Sequence, residues 1–208
     1  AKQKVSGYDI ITIPKNAAKG QVSASLKGQT RTNLLGVRGN FLNGIGTWLE
    51  QSTTTQQEQE GLKVQLTNVS AGGLYLDDVV VDNTKYYLVI LKARKESANS
   101  VSLRVYLSGS FDGGVIKESN AITNQNYSIA YMKLSPIDLV GATTLRLYAR
   151  VTGGPYTSAY MQSVGVYNIT EENYNTITDS DVETMYQYID GTKSTVGAFR
   201  IRSVSEDE

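Results

Sequence analysis

Four segments of the chain alternate apolar and polar residues with a period of two. They span residues 21–27, 62–67, 101–107 and 145–151. Because neighbouring side chains of a strand point to opposite faces, this alternation predicts β-strands that are buried on one face only. Residues 86–91 (YYLVIL) lack the polar phase, and they are predicted to form a strand that is covered on both faces.

Turn-forming residues separate these strands. Glycine pairs at residues 72–73, 113–114 and 153–154, together with Asp82-Asn83, favour tight turns between short strands. Short strands with this spacing predict an all-β fold, an antiparallel β-sandwich. Residues 51–60 are polar throughout and contain three threonines, which predicts an exposed loop or an edge strand.

The pattern changes after Ile169. Thr170 followed by two glutamates is typical of a helix start, with the threonine hydroxyl as the N-cap. Ser180 is predicted to begin a second helix, with Glu183 at the capping-box position. Val182, Met185 and Tyr186 would then share one helix face. The sandwich is therefore expected to be followed by a short C-terminal pair of helices.

The domain organisation follows from these patterns. We expect a connecting arm over residues 1–20, the sandwich over 21–169, a short helical appendage over 170–193, and a tail or the start of a following domain over 194–208. Basic residues predominate near the start and acidic residues near the end, a distribution that could bring successive subunits together.

Two missing residue types exclude most kinds of catalytic site. The 208 residues include no Cys and no His, which excludes disulfides, cysteine nucleophiles, Ser-His-Asp triads and zinc sites built on these ligands. A protein without enzyme activity is therefore expected, and a cell-wall hydrolase is a weaker alternative. The 20 basic residues balance 20 acidic ones, so no net charge favours nucleic acid. No apolar run approaches the ~20 residues of a membrane span, so membrane insertion is not expected.

Two segments resemble tail-associated proteins of bacteriophages and prophages of Gram-positive bacteria. Residues 22–36 (VSASLKGQTRTNLLG) are similar to a segment that precedes a sandwich in those proteins, and Gly39-Asn40-Phe41 with Gly44 and Trp48 is similar to the opening of that sandwich. Leu42 stands where the pattern has an acid. Residues 83–94 resemble a later strand of the same modules, and residues 160–174 resemble the segment that closes them.

The resemblance implies a jelly-roll β-sandwich similar to carbohydrate-binding modules, within a tail-fibre, baseplate or receptor-binding protein. Such a protein is a virion component that acts extracellularly at the bacterial surface. Its expected partners are host cell-wall polysaccharide or another glycan, other tail proteins and further copies of the chain. Adhesion to host carbohydrate is the leading hypothesis. A structural or oligomerisation domain with no ligand of its own is the alternative.

Aromatic residues are the candidates for carbohydrate binding, because tyrosine combines a flat ring with a polar hydroxyl. Trp48 is the single tryptophan and is expected either in the core or in contact with sugar, the core being favoured. Tyr106 and Tyr148 occupy the polar phase of their strands and are predicted to point away from the core, towards a binding face or an interface. The alternative is a cross-strand pair of solvent-exposed aromatic rings. Tyr156 and Tyr160 flank a loop and could line the rim of a site.

Three aspartates, Asp77, Asp78 and Asp82, could supply oxygen ligands to a structural calcium ion, although turn residues and solvated charges are the favoured explanation. Tyr127 and Tyr131 share a strand face with Ile129, which favours the core for both tyrosines.

Overall fold

The computed structural model describes residues 2–5, 8–11, 30–31, 33–107, 114–186 and 194–195. Two short 3-10 helices, Gly36–Gly39 and Phe41–Asn43, precede the main strands. The α-helices are α1 (Glu171–Thr176) and α2 (Asp179–Met185). The strands are β1 (Lys2–Val5), β2 (Tyr8–Ile11), β3 (Thr30–Arg31), β4 (Leu49–Gln51), β5 (Thr53–Glu58), β6 (Gly61–Leu66), β7 (Ala71–Val80), β8 (Tyr86–Lys95), β9 (Ser100–Leu107), β10 (Val115–Glu118), β11 (Ser128–Leu134), β12 (Thr144–Thr152), β13 (Ser158–Ile169) and β14 (Ser194–Thr195).

Ten of these strands form two five-stranded antiparallel sheets. The first sheet has the order β10-β9-β12-β7-β4, and the second has the order β11-β8-β13-β6-β5. The predicted jelly-roll sandwich is therefore confirmed. The polar segment 51–60 supplies β5, the edge strand of the second sheet. Of the four alternating segments, three are strands, and residues 21–27 lie outside the described residues. Two further pairs, β1 with β2 and β3 with β14, are also antiparallel.

The main core lies between the two sheets and is built from the apolar phase of their strands. β8 carries buried apolar side chains on both faces of the second sheet. Tyr87, Val89 and Leu91 lie in this core, whereas Leu88 and Ile90 lie in a second apolar cluster on the outer face of the second sheet. The prediction that residues 86–91 are covered on both faces is therefore confirmed.

Residues 33–40, which belong to segments that carry the phage-tail resemblance, run along β13 on the edge that β6 leaves open. The Asn33 side chain accepts hydrogen bonds from the backbone N–H groups of Leu35 and Val166, both at 3.1 Å. Asn40 forms an isolated antiparallel bridge with Ser163, and its side chain caps the second 3-10 helix by accepting from Leu42 N. These contacts fix the segment beside the outer face of the second sheet.

Both helices pack over one end of that outer face. Val182 and Tyr186 are buried with Leu88, Tyr167 and Ile169 in the second cluster. Thr170 caps α1 as predicted. The N-cap of α2 is Thr178 and not Ser180, because Asp181 stands at the position where its carboxylate closes a capping box with Thr178. Among the described residues, no helix is both long and apolar enough to cross a bilayer.

Candidate functional site

A cleft of about 310 Å³ opens on the outer face of the second sheet, between the helices at one end of the strands and a polar network at the other. Its floor is formed where β8 and β13 pair, at Ile90 opposite Gly165. Asn40 and Leu42 form one wall. Its volume lies at the lower end of the ~300–1,000 Å³ that is typical of small-ligand pockets.

Gly165 shapes the floor because a side chain there would collide with Tyr167. A Cβ atom on Gly165 would lie 2.6 Å from the Tyr167 ring. That ring lies across the glycine and meets the Tyr186 ring edge-on, with the ring centroids 5.6 Å apart. The glycine therefore gives the Tyr167 ring the space to lie across β13 and to meet Tyr186.

Polar side chains surround this apolar floor. Lys92 and Glu183 are exposed, Gln162 is half-buried, and all three line the cleft. Gln162 lies at a bulge in the pairing of β13 with β8, between Met161 and Ser163. The bulge changes the direction of the side chains along β13, and the Gln162 amide donates to Glu60 O at 3.1 Å. The residues that line the cleft thus carry an ammonium, an amide and a carboxylate, groups that can donate and accept hydrogen bonds.

A polar network centred on Tyr160 adjoins the cleft. The Tyr160 hydroxyl donates to Glu58 at 2.7 Å and lies 3.4 Å from Glu96, which forms an ion pair with Lys63 at 2.9 Å. The Arg94 guanidinium lies over the Tyr160 ring, 4.1 Å from its centroid, and pairs with Glu60. Tyr160 is only 5% exposed, so its ring lies beneath the charged groups of this network.

Hydrogen bonding sets the ionisation of the network. The bond to Glu58 raises the pKa of Tyr160, and the bond from Ser158 is the largest cause of the lowered pKa of Glu96. The bond to Glu96 raises the pKa of Lys63. The tyrosine is therefore held neutral while Glu96 and Lys63 are held charged, which suits fixed hydrogen bonding.

Trp48 lies in the core, the alternative that the sequence favoured. It is 2% exposed, its ring meets Phe41 edge-on with centroids 5.1 Å apart, and its Nε1 donates to Arg38 O at 2.7 Å. The contacts of Trp48 with Phe41 and Arg38 thus fix the loop that forms a wall of the cleft. A contact between Trp48 and sugar would need this loop to open.

Tyr106 and Tyr148 point away from the main core, as their strand phase predicts, because they lie on the outer face of the first sheet. Their ring centroids are 6.3 Å apart, which matches the predicted alternative of a cross-strand aromatic pair. Each is only 5% exposed. The expectation that they are exposed is therefore wrong: the outward phase of a strand sets the direction of a side chain but not its access to solvent.

The five aromatic candidates do not come together. Tyr160 lies on the second sheet, on the opposite side of the sandwich from Tyr106 and Tyr148. Tyr156 is 64% exposed in the turn before β13 and has a positive φ of 62°. The expectation that Tyr127 and Tyr131 lie in the core is also corrected. Tyr131 packs against the second cluster, and Tyr127 donates to Glu60 O at 2.6 Å, so neither is in the main core.

The predicted calcium ligands have other roles. Asp77 accepts two hydrogen bonds from Arg146, at 2.6 and 2.8 Å. Asp82 accepts from the backbone and hydroxyl of Thr84 and closes a turn. Asp78 has a positive φ of 58°, at a bulge in β7. Within the described ranges, no group of three or more acidic side chains could hold a metal ion.

The sequence did not single out Lys92, Gln162 or Glu183 as site residues. One signal for the cleft was present: the apolar run of β8 ends at Leu91, and Lys92 follows at the point where the helices no longer cover the sheet. Gln162 could not be identified in this way, because its direction depends on a bulge that alternation does not predict.

Solved structures show the same fold. The chain is similar to a CBM4 carbohydrate-binding module with a TM-score of 0.50 and 13% identity, over 62% of this chain and 99% of that one. It is similar to the second N-terminal cellulose-binding domain of Cellulomonas fimi β-1,4-glucanase C with a TM-score of 0.51 and 15% identity, over 66% and 95% of the two chains. At these identities, the likeness shows the fold alone.

A domain of tailspike protein 4 of bacteriophage CBA120 also matches, with 12% identity over 65% of this chain and 22% of that one. Its TM-score of 0.45 establishes no shared fold. No protein-family model matches the sequence, and no curated protein matches it.

Proposed function

We propose that this protein is a non-catalytic module that binds a carbohydrate in the cleft of the second sheet. The observation that carries the proposal is a cleft of about 310 Å³ in which Lys92, Gln162 and Glu183 line an apolar floor. The jelly-roll fold, which is also that of a CBM4 module and a cellulose-binding domain, supports it.

The cleft offers both kinds of contact that a sugar needs. A pyranose has apolar C–H faces and polar edges, so it combines apolar contact with directional hydrogen bonds. In the cleft, Ile90, Gly165 and the half-exposed Leu42 supply apolar surface. Lys92 and Gln162 supply donors, and Glu183 supplies an acceptor. The neighbouring Tyr160 network holds β6, β8 and β13 together beside the cleft, which keeps the site preformed.

We further propose that the ligand is a cell-wall polysaccharide of a Gram-positive host and that the module belongs to a phage or prophage tail. The sequence resemblance over residues 22–36, 39–48 and 160–174 supports this assignment. Two of these segments form the wall and part of the floor of the cleft. The module would then act extracellularly, as part of the virion, with other tail proteins as neighbours.

The proposal is tested by pull-down on purified Gram-positive cell-wall polysaccharide. We expect wild-type protein to be retained, and Lys92→Ala and Gln162→Ala to weaken binding about fivefold each, since each removes a hydrogen bond of about 1 kcal/mol. Lys85→Ala and Gln51→Ala are matched controls, because both residues lie outside the cleft. No retention of the wild-type protein, or equal retention of all variants, would contradict the proposal.

Assembly is the second candidate function. At one end of the first sheet, apolar side chains are exposed at the end of β7, at the facing ends of β9 and β10, and in the turn before β12. They are Val80 (71%), Leu107 (41%), Val115 (41%), Ile137 (82%) and Val140 (75%). Apolar surface of this kind is typical of subunit contacts. Light-scattering mass, measured on the same samples, separates the two functions: a stable oligomer that is not retained by polysaccharide supports assembly alone.

A further inference from the structure

The second helix closes one end of the cleft. Glu183 and Tyr186 line the cleft at this end. Behind them, the sheet face is occupied by the second apolar cluster, in which Leu88 and Val182 are completely buried and Tyr167 is 1% exposed. A ligand that runs along the strands from Lys92 towards Tyr86 therefore meets packed side chains and not open sheet.

The position of the helices is fixed by specific contacts. The Tyr131 hydroxyl donates to Asp179, at the first residue of α2, at 2.5 Å. Lys133 donates to Tyr174 O at 2.6 Å, and the rings of Tyr86 and Tyr174 pack with centroids 5.1 Å apart. The capping box at Thr178 and Asp181 fixes the start of α2 itself. These contacts hold the two helices in place as a wall at this end of the cleft.

We propose that this helical wall makes the cleft selective for the end of a glycan chain. The inference rests on the proposed function and names the substrate class of the same site: a terminal segment of one or about two sugar units, not an internal stretch of polysaccharide. Leu42 and Asn40 on one side and α2 at the end leave the Lys92–Gln162 side as the entrance. Glu183 accepts hydrogen bonds from hydroxyls of the terminal sugar.

The size of the cleft agrees with a short ligand. A volume of about 310 Å³ is at the lower limit for small-ligand sites, whereas an extended chain would need open surface on both sides of its bound units. The helices leave only the other side uncovered, where the polar phase of β8 and β13 continues to the network of Arg94 and Tyr160.

The test compares oligosaccharides of the same sugar composition but different lengths. Polysaccharide that is retained in the pull-down is partly hydrolysed and fractionated into disaccharide, tetrasaccharide and octasaccharide, and each fraction is titrated by calorimetry. End recognition predicts that the affinity per chain stays within about twofold from disaccharide to octasaccharide, with one protein bound per chain. An affinity that rises tenfold or more with length, or several proteins bound per octasaccharide, would overturn the inference and leave glycan binding intact. No binding of any fraction or of the polymer would refute the proposed function itself.

Two variants test the role of the wall. Glu183→Ala is expected to weaken disaccharide binding about fivefold, as for one lost hydrogen bond, and to leave thermal stability unchanged because the side chain is exposed. Glu172→Ala, an exposed glutamate of α1 outside the cleft, is the matched control and is expected to bind like the wild type. Equal disaccharide affinity for both variants would overturn the assignment of Glu183.

Discussion

The outer faces of the two sheets carry tyrosines and charged residues alike, yet they are built differently. On the first sheet, Arg146 is 8% exposed, forms two hydrogen bonds to Asp77 and stacks 4.9 Å from the centroid of the Tyr75 ring. Tyr106 and Tyr148 are buried beside it. On the second sheet, the apolar end of the face is covered by two helices, the other end carries an ion-pair network, and a cleft lies between them.

The difference shows that a binding surface needs a boundary and not only suitable residues. The first sheet presents aromatic and arginine side chains, but its polar phase is packed and paired. On the second sheet, the helices and the segment around Asn40 give the outer face walls. Since a pocket depends on what adjoins a sheet, outward tyrosines alone do not identify the face that carries the cleft.

The covered end of the second sheet is expected to be the more sensitive to truncation. Tyr167→Ala removes a ring that is 1% exposed and that packs on Gly165 and Tyr186, so we expect a loss of about 3–5 kcal/mol in the free energy of unfolding. Tyr156→Ala is the control, because Tyr156 is 64% exposed, and a change of about 0.5 kcal/mol or less is expected. Urea denaturation measures both, and similar losses would show that the helices do not protect this cluster.

The burial of Tyr167 also shows how far sequence patterns predict this fold. Alternation in β6, β9 and β12 and the doubly apolar run in β8 depend only on local periodicity, and the structure confirms them. The cap at Thr170 is local too. The cap of α2 lies two residues from its predicted place because Thr178 and Ser180 are both good N-caps, and the reciprocal bond from Asp181 decides between them.

The candidate site was much less predictable, because it depends on contacts between distant segments. Tyr160 was placed at a loop rim, yet it is fixed by Glu58, which is 102 residues away in the sequence. The cleft joins residues near 40, 90, 162 and 183. Strand phase placed Tyr106 and Tyr148 on an outward face correctly, but phase carries no information on what packs over that face.

Removing one acidic partner on each face tests the contrast in charge pairing. Asp77→Ala on the first sheet leaves Arg146 nearly buried and without its two bonds to that carboxylate, so we expect a loss of about 2–3 kcal/mol in stability. Glu60→Ala on the second sheet breaks the pair with Arg94, but the Glu60 side chain is 62% exposed, and a loss of about 1 kcal/mol or less is expected. Thermal unfolding at low and high salt provides the comparison. If both variants lost the same stability, and high salt abolished both losses equally, the contrast between the two faces would be contradicted.

The smallest effect on folding concerns two tyrosines whose pKa is raised to about 12 for different reasons. Burial raises the pKa of Tyr148 on the first sheet, whereas the hydrogen bond to Asp179 is the largest cause for Tyr131 on the second. Because both values exceed the ordinary value of about 10, each group stabilises the folded state below pH 10, and this contribution is lost as pH rises towards 12. Asp179→Asn should lower the pKa of Tyr131 towards 10, leave that of Tyr148 unchanged and barely alter stability at neutral pH.

Phenolate absorbance of the variant is compared with that of Tyr131→Phe and Tyr148→Phe, with circular dichroism recorded at each pH to confirm that the protein is folded. A pKa of Tyr131 that stays near 12 in Asp179→Asn would mean that packing against the second cluster, and not the contact with α2, controls this tyrosine.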